Sequence, residues 1–233
     1  MPSPAPSRFS LFFAGVKAEL PILLGVIPFG MIYGVLALQA GLPHGAAQAM
    51  SAVVFAGSAQ FMAVQLIRTG TPAVVLVLSI FVINLRHALY SASLAPYVAR
   101  LPLRWRVLLA YLLTDEAYVV TITHYQQVDP TVWGQWFFLG AGLTLWSGWQ
   151  ISTAAGIFLG AQIPAGWSLD FTLALTFIAL LVPGLKDRAG AAAALSAGTV
   201  AVLAFGLPYK LGLVAAALVG IAVGLLVEGR KKP

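Results

Sequence analysis

Apolar segments long enough to cross a membrane recur along the whole chain, and they constrain the fold more than any other feature. Each runs for about 20 residues without the polar and apolar alternation that a membrane β-strand requires. Loop-forming stretches such as "AGLPHG", "QQVDP" and "PGLKDRAG" separate them. The candidate spans are residues 18–40, 46–68, 72–97, 105–125, 132–160, 168–185, 189–206 and 208–227.

The composition places the chain in the membrane class. Hydrophobic residues make up 60% and charged residues 9%, whereas a soluble domain has about 25% charged residues. We predict an all-α polytopic membrane helix bundle of about eight spans, or seven spans plus a re-entrant segment. A single transmembrane domain at 18–227 would follow an N-terminal tail and interfacial segment at 1–17, and a basic tail at 228–233 would end the chain. The lack of cysteine excludes disulfides and thiolate chemistry, and we predict no metal site and no cofactor.

The distribution of Lys and Arg predicts the orientation. The net charge of +6 indicates topology and anionic lipid rather than nucleic acid. With eight spans and both termini in the cytoplasm, the cytoplasmic side holds Arg8, Lys17, Arg68, Lys186, Arg188, Arg230, Lys231 and Lys232. The outer side holds Arg100, Arg104, Arg106 and Lys210. The loop 98–106 violates the positive-inside rule, and a re-entrant segment counted as a span would remove the violation.

Polar and helix-breaking residues collect at one depth. They lie near the midpoints of the first five candidate spans, in "GVIPFGMIYG", "FAGSAQF", "NLRH", "LTDEAY" and "WSGWQ". The sequence therefore predicts a polar layer at the centre of the bilayer.

Two of these stretches predict helices that are broken at mid-membrane. Pro28, flanked by glycines, should break the first span, and "AGSAQ" should break the second. The N-terminus of a half-helix offers unpaired N–H groups and a partial positive charge, which suit a carboxylate. The alternative is that Gly30 and Gly57 only allow close helix packing.

Arg86 lies in the middle of an apolar segment. A charge there costs at least about 2.5–3.5 kcal/mol, so the arginine needs a partner or water. The third and fourth candidate spans turn near residue 101, and Arg86 precedes this point by 15 residues. Asp115 and Glu116 follow it by 14 and 15 residues, which places them at the depth of Arg86. We predict an ion pair between Arg86 and one of these acids; the alternative is that such a pair only fixes helix packing.

The second acid is a candidate proton carrier. Adjacent helical residues point about 100° apart, so only one acid can face Arg86. A carboxyl group withdrawn from water can carry a proton near neutral pH. His87 is a further candidate, and a satisfied interior histidine is the alternative for it.

The stretches "PFGMIYG", "VFAGSAQF", "NLRHALYSASLAPY" and "LTDEAY" together resemble the AzlC-type branched-chain amino-acid permeases, over roughly residues 20–125. The resemblance implies a secondary transporter in the cytoplasmic membrane of a bacterium that exports leucine, isoleucine, valine and related amino acids with a small AzlD-type membrane subunit. The positions that match the family are Pro28 to Gly30, Ala56 to Gln60, Asn84 to His87, and Asp115 with Glu116. Among them, the candidate substrate contacts are Pro28, Phe29, Gly30, Gly57, Ser58, Gln60, Asn84 and Arg86. The coupling candidates are His87, Asp115 and Glu116.

The residues agree with an amino-acid substrate, which needs an anion site, a cation site and an apolar pocket. Backbone N–H groups at 28–30 or 57–60, or Arg86, could hold the carboxylate, and Asp115 or Glu116 the ammonium group. Phe29, Phe55 and Phe61 could shape the pocket, although membrane aromatics often only pack.

Other functions remain open at this point. An ion channel would need a continuous polar file, and an intramembrane hydrolase would need Ser58 beside His87. No ATP-binding motif is present, so the energy would come from an ion gradient, for which we expect protons, or from a separate protein. We predict that the chain is not an enzyme.

Overall fold

The computed structural model describes residues 7–127, 133–160, 185, 187–208 and 211–229, and this part of the chain is helical with no strand. The helices are α1 (Arg8–Gln39), α2 (His44–Val54), α3 (Gly57–Arg68), α4 (Ala73–Asn84), α5 (Arg86–Val98), α6 (Leu103–Tyr111), α7 (Asp115–Gln127), α8 (Gly134–Gly160), α9 (Arg188–Leu203) and α10 (Leu211–Gly229). The predicted all-α membrane bundle is confirmed. The candidate span 168–185, except Leu185, lies outside the described residues.

Three helices in the described ranges are long and apolar enough to cross a membrane: Arg8–Gln39, Ala73–Val98 and Leu211–Gly229. The second combines α4 and α5, because Leu85 between them keeps helical dihedral angles (φ −55°, ψ −26°). The chain forms two compact units, one of residues 1–64 and 83–165 and the other of residues 65–82 and 166–233.

Helices α1 and α8 form the centre of the first unit and run parallel to each other. A methyl group on Gly15 would lie 2.9 Å from the Ala141 nitrogen, and one on Gly34 would lie 2.6 Å from the Ile157 nitrogen. The residue numbers rise together along both helices, which gives the parallel direction. Glycine at these positions lets the two backbones touch.

The break predicted at Pro28 is wrong. Helix α1 begins at Arg8, ten residues before the predicted span, and continues through Pro21 and Pro28 to Gln39. Pro28 lies on the exposed face of the helix, and the close contacts with α8 hold α1 on both sides of it. A membrane helix tolerates proline where neighbouring groups satisfy the freed backbone.

Helices α6 and α7 form a re-entrant hairpin, so the prediction of a span at 105–125 is wrong. Trp105 of α6 packs against Trp136 with ring centroids 5.2 Å apart, and His124 of α7 stacks on Phe137 at 3.8 Å. One straight helix would separate residues 105 and 124 by about 28 Å. Both ends of the segment instead lie beside the first turn of α8, and the chain reverses at residues 112–114.

Helices α2 and α3 form a second hairpin, in place of the predicted span 46–68. The Tyr33 hydroxyl of α1 donates to the Ala47 carbonyl of α2 at 2.8 Å, and the Tyr33 ring lies 6.1 Å from that of Phe61 in α3. A straight helix would place residues 47 and 61 about 21 Å apart. The chain reverses at Phe55, which adopts left-handed angles (φ 40°, ψ 47°). The break expected beside "AGSAQ" is therefore present, directly before Gly57.

The second unit contains an antiparallel helix pair. Methyl groups on Gly212 and Gly220 of α10 would lie 2.9 Å from the Ala204 carbonyl carbon and from Ala197 Cβ respectively. Gly212 lies beside Ala204, and the later Gly220 lies beside the earlier Ala197. The two helices are therefore antiparallel.

Candidate functional site

The turns of the two hairpins meet inside the first unit. The Tyr111 hydroxyl, at the end of α6, donates to the Ala52 carbonyl of α2 at 2.6 Å. Trp146 Nε1 of α8 donates to the same hydroxyl at 2.7 Å, and the rings of Phe55 and Tyr111 lie 6.0 Å apart. Hydrogen bonds thus connect the hairpin turns to each other and to α8.

Arg86 joins the two hairpins. Its Nη1 donates to Asp115 Oδ2 at 2.5 Å, and its Nη2 donates to Ser58 Oγ at 2.7 Å. Ser58 belongs to the first turn of α3 and Asp115 to the first turn of α7, while Arg86 begins α5. The ion pair expected at Arg86 is present, and its acid is Asp115. We call Ser58, Arg86 and Asp115 the central cluster.

The central cluster retains groups that can bind a ligand. Among the described residues, Arg86 Nε and Asn84 Oδ1 are buried without a hydrogen-bond partner. The first N–H groups of α3 and α7 have no partner within their helices, and helix N-termini carry partial positive charge. Groups that suit an anion and groups that suit a cation therefore occur side by side.

Three further predicted residues lie next to the central cluster. His87 Nδ1 is 3.2 Å from the Asn84 carbonyl oxygen, and its ring packs against the edge of Tyr90, which lies beside the Asp115 carboxylate. Glu116 follows Asp115 on α7 and is partly buried. Asn84, His87 and Glu116 thus flank the ion pair.

Two of the three predicted residues of α1 pack against α3 and α8. Pro28 is exposed, and the Phe29 ring packs edge-on against Phe61 at 5.9 Å. A methyl group on Gly30 would lie 3.0 Å from Ser152 Cβ, so this glycine allows close packing with α8. Phe29 and Gly30 thus contact α3 and α8, and substrate binding by the three residues stays a prediction.

Two predicted residues of α3 also take part in packing. A methyl group on Gly57 would lie 3.2 Å from the Trp149 ring, and Gln60 is fully buried near Tyr33. Ser58 is therefore the residue of the "AGSAQ" stretch that contacts Arg86.

Glu19 is a buried acid that the sequence reasoning missed. Its side chain, in the middle part of α1, has no exposed surface. Neither carboxyl oxygen has a hydrogen-bond partner among the described residues. The predicted first span began at residue 18, which put Glu19 at a membrane surface. The apolar run that extends from Phe9 would have placed it inside the helix.

The contacts of Ser58 and His87 do not support a hydrolase. Ser58 Oγ accepts a hydrogen bond from Arg86, and His87 Nδ1 contacts the Asn84 carbonyl. No hydrogen bond joins Ser58 to His87 within the described part of the chain, whereas an activated serine needs such a base.

These features define a polytopic α-helical membrane protein whose polar groups meet at the turns of two helical hairpins. Residues 21–163 match the AzlC protein family, and this range contains the whole central cluster. The chain belongs to the AzlC family.

Similar proteins occur in archaea and bacteria. An uncharacterized membrane protein of Archaeoglobus fulgidus is 33% identical over 220 residues, which cover 92% of this chain and 94% of the relative. The inner membrane protein YgaZ of Escherichia coli is 27% identical over 233 residues, covering 97% and 92%. An uncharacterized membrane protein of Helicobacter pylori is 26% identical over 169 residues, or 72% of each chain. No solved structure matches the chain.

Proposed function

We propose that this chain is a secondary transporter that exports branched-chain and related apolar amino acids across the bacterial cytoplasmic membrane, driven by a proton gradient. The observation that carries the proposal is the position of Arg86, which bridges Asp115 and Ser58 at the turns of two opposed hairpins. Intramembrane ions and broken helices mark substrate paths in transporters. The Escherichia coli relative YgaZ is an inner membrane protein, which supports the location.

A zwitterionic amino acid matches the charges of the central cluster. Its carboxylate would bind Arg86 and the N-terminal N–H groups of α3, and its ammonium group would bind Asp115 and Asn84 Oδ1. The substrate carboxylate would take the place of Asp115 as a partner of Arg86, and the ammonium group would take the place of Arg86 as a partner of Asp115. The site therefore stays neutral with and without substrate. A site of this kind avoids leaving a charge unpaired in a dry environment.

The side chains at the hairpin turns support an apolar substrate. Phe55 of one turn and Leu112 and Leu113 of the other are buried. Opening of a turn would make these apolar side chains available to the branched side chain of leucine, isoleucine or valine, and burial of such a side chain contributes about 1.5–3 kcal/mol.

The opposed hairpins support alternating access rather than a channel. Each hairpin closes the central cluster from one end of the first unit, so opening one turn at a time would expose the cluster to one side. An ion channel needs a continuous polar path, and the buried Phe55, Leu112 and Leu113 interrupt it at this depth.

Leucine exchange in liposomes tests this function. Purified protein should exchange external labelled leucine for internal leucine, while Arg86→Met and Asp115→Asn should lose most of this exchange. Arg104→Met, which removes an exposed arginine of α6, is the matched control and should keep it. Wild-type exchange in both central variants would contradict the proposed site.

Export itself is measured in cells. In a strain that has no other exporter for these amino acids, removal of the chain should raise the intracellular pools of leucine, isoleucine or valine when the cells are fed peptides that contain them. Unchanged intracellular pools would contradict the direction of transport.

We also propose a small AzlD-type membrane subunit as the partner, on the basis of the family. The two proteins should copurify from membranes in a fixed ratio, and the pair should transport leucine faster than the large chain alone. Separate elution and equal rates would contradict the partnership.

A further inference from the structure

Glu19 has no role in the site described so far, although it is the most completely buried acid among the described residues. Its side chain has no exposed surface, and both carboxyl oxygens are without a hydrogen-bond partner there. An ionised carboxylate in such a place would be far costlier than a neutral acid. The geometry therefore favours a carboxylic acid that carries a proton.

Glu19 and the hairpin turn before α7 both lie near the same turn of α8. Gly15, one turn before Glu19, packs on Ala141, and a methyl group on the adjacent Gly142 would lie 2.8 Å from Leu112 Cβ. The same turn of α8 thus contacts α1 near Glu19 and contacts the hairpin turn that precedes Asp115.

Glu116 is the titratable neighbour of Glu19. The two carboxyl groups interact electrostatically, and Glu116 in turn interacts with Asp115 and Arg86. Arg86 forms its ion pair with Asp115, so its charge is already matched. Two acids without a cation of their own hold at least one proton between them in a dry environment.

The elements packed against this part of α1 supply no other charge at Glu19. Helix α8 contains no titratable residue, and the histidine of α2, His44, is exposed at the start of that helix. On α7 the remaining titratable side chains are Asp115, Tyr118, His124 and Tyr125. Asp115 pairs with Arg86, Tyr118 donates to Ser93, Tyr125 donates to the Gly134 carbonyl, and His124 stacks on Phe137. On α1 itself Lys17 is exposed.

We infer that Glu19 and Glu116 form a proton-binding pair that is separate from the central cluster and that couples transport to the proton gradient. Glu116 connects the pair to the cluster, because it follows Asp115 on α7. Substrate charge at Asp115 would thereby change the affinity of the pair for its proton, and the proton would change the affinity for substrate by the same factor. Among the described residues, no group of three or more His, Cys, Asp or Glu side chains could hold a metal ion. This inference rests on the proposed function.

Glu19→Gln tests the pair, because glutamine has the shape of the protonated acid but binds no proton. Liposomes with this variant should exchange leucine like wild type and should lose accumulation driven by an imposed pH gradient. Glu19→Asp should recover part of the pH response. Glu228→Gln, which removes an exposed acid at the end of α10, is the control and should change neither measurement. An imposed sodium gradient should drive no accumulation in wild type, and sodium-driven uptake that is lost in Glu19→Gln would overturn the proton assignment.

An infrared measurement tests the same inference without transport. Wild-type protein near neutral pH should show the carbonyl band of a protonated carboxylic acid, and Glu19→Gln should lose that band. A band unchanged in Glu19→Gln, or full pH-driven accumulation in this variant, would overturn the inference. Misfolding of Glu19→Gln when Glu19→Asp folds would also overturn it, because the neutral mimic should fit. If wild type exchanges no leucine, the proposed function fails, and the infrared result still decides whether Glu19 carries a proton.

Discussion

The bond partners of Arg86 explain how one arginine can occupy the middle of an apolar segment. It donates to a carboxylate and to a hydroxyl on two different hairpins, so its charge is neutralised and its direction is fixed. The Arg86 and Asp115 side chains keep 29% and 37% of their surface exposed. That partial access is what a binding site requires, whereas a purely structural pair gains nothing from it.

A double substitution separates binding from stability at this pair. Arg86→Met alone leaves Asp115 unpaired. Because both side chains are partly exposed, the decrease in the free energy of unfolding should be smaller than for a fully buried pair, where it is about 3–5 kcal/mol. Arg86→Met combined with Asp115→Asn should recover thermal stability in detergent but not leucine exchange. Arg86→Met combined with Glu116→Gln should show no such recovery. Equal recovery with both acids would contradict the pairing with Asp115.

At the scale of the helices, the sequence predicts which polar residues lie at the turns, but it does not predict that the chain reverses there. Polar and helix-breaking residues indicated the Ser58 and Asp115 regions, because a charge is costly inside a membrane wherever the chain goes next. Hydropathy cannot distinguish a span from a hairpin, since α2 with α3 and α6 with α7 each have the length of one span. The contacts of Trp105 and His124 with the same turn of α8 reveal the reversal.

The local sequence also does not predict the helix geometry at Pro28 or the burial of Glu19. A proline predicts a break when the helix is considered alone, but the contact between α1 and α8 decides whether the helix stays straight. The predicted first span places Glu19 at a membrane surface, because it begins ten residues after the start of α1. Both errors concern α1, whose course depends on a partner that lies more than 100 residues away in the sequence.

The glycines of α1 provide a test of its contact with α8. A methyl group on Gly34 would lie 2.5 Å from the Thr153 carbonyl oxygen, whereas one on Gly25 would meet nothing within 4 Å. Gly34→Ala should therefore lower the thermal stability in detergent, because backbone atoms cannot move aside cheaply. Gly25→Ala is the matched control, and the helix preference for alanine should stabilise it by about 0.5–1 kcal/mol. Equal melting temperatures for the two variants would contradict the parallel contact.

At the scale of the whole molecule, the hairpins change the membrane topology that the spans predicted. The start of α1, the end of α5 and the start of α8 lie at one end of the first unit, because Gly15 packs on Ala141 and Tyr97 packs on Tyr125. This end carries Arg8, Lys17, Arg100, Arg104 and Arg106. If it faces the cytoplasm, the three arginines of the 98–106 loop obey the positive-inside rule instead of violating it.

Single cysteines can test this topology, because the natural chain contains none. Cysteine in place of Ala99 or Gln126 should react with a membrane-impermeant maleimide only when the cytoplasmic side is open, as in inverted vesicles. Cysteine in place of Gly41, in the turn between α1 and α2, should react from the opposite side in intact cells whose outer membrane has been made permeable. All three positions are exposed, so access to the reagent depends on the side of the membrane alone. Ala99 decides between the topologies, because eight full spans place it outside and the α6–α7 hairpin places it inside with Gln126. Labelling of Ala99→Cys from outside, with Gln126→Cys labelled from the cytoplasmic side, would show that residues 103–127 cross the membrane.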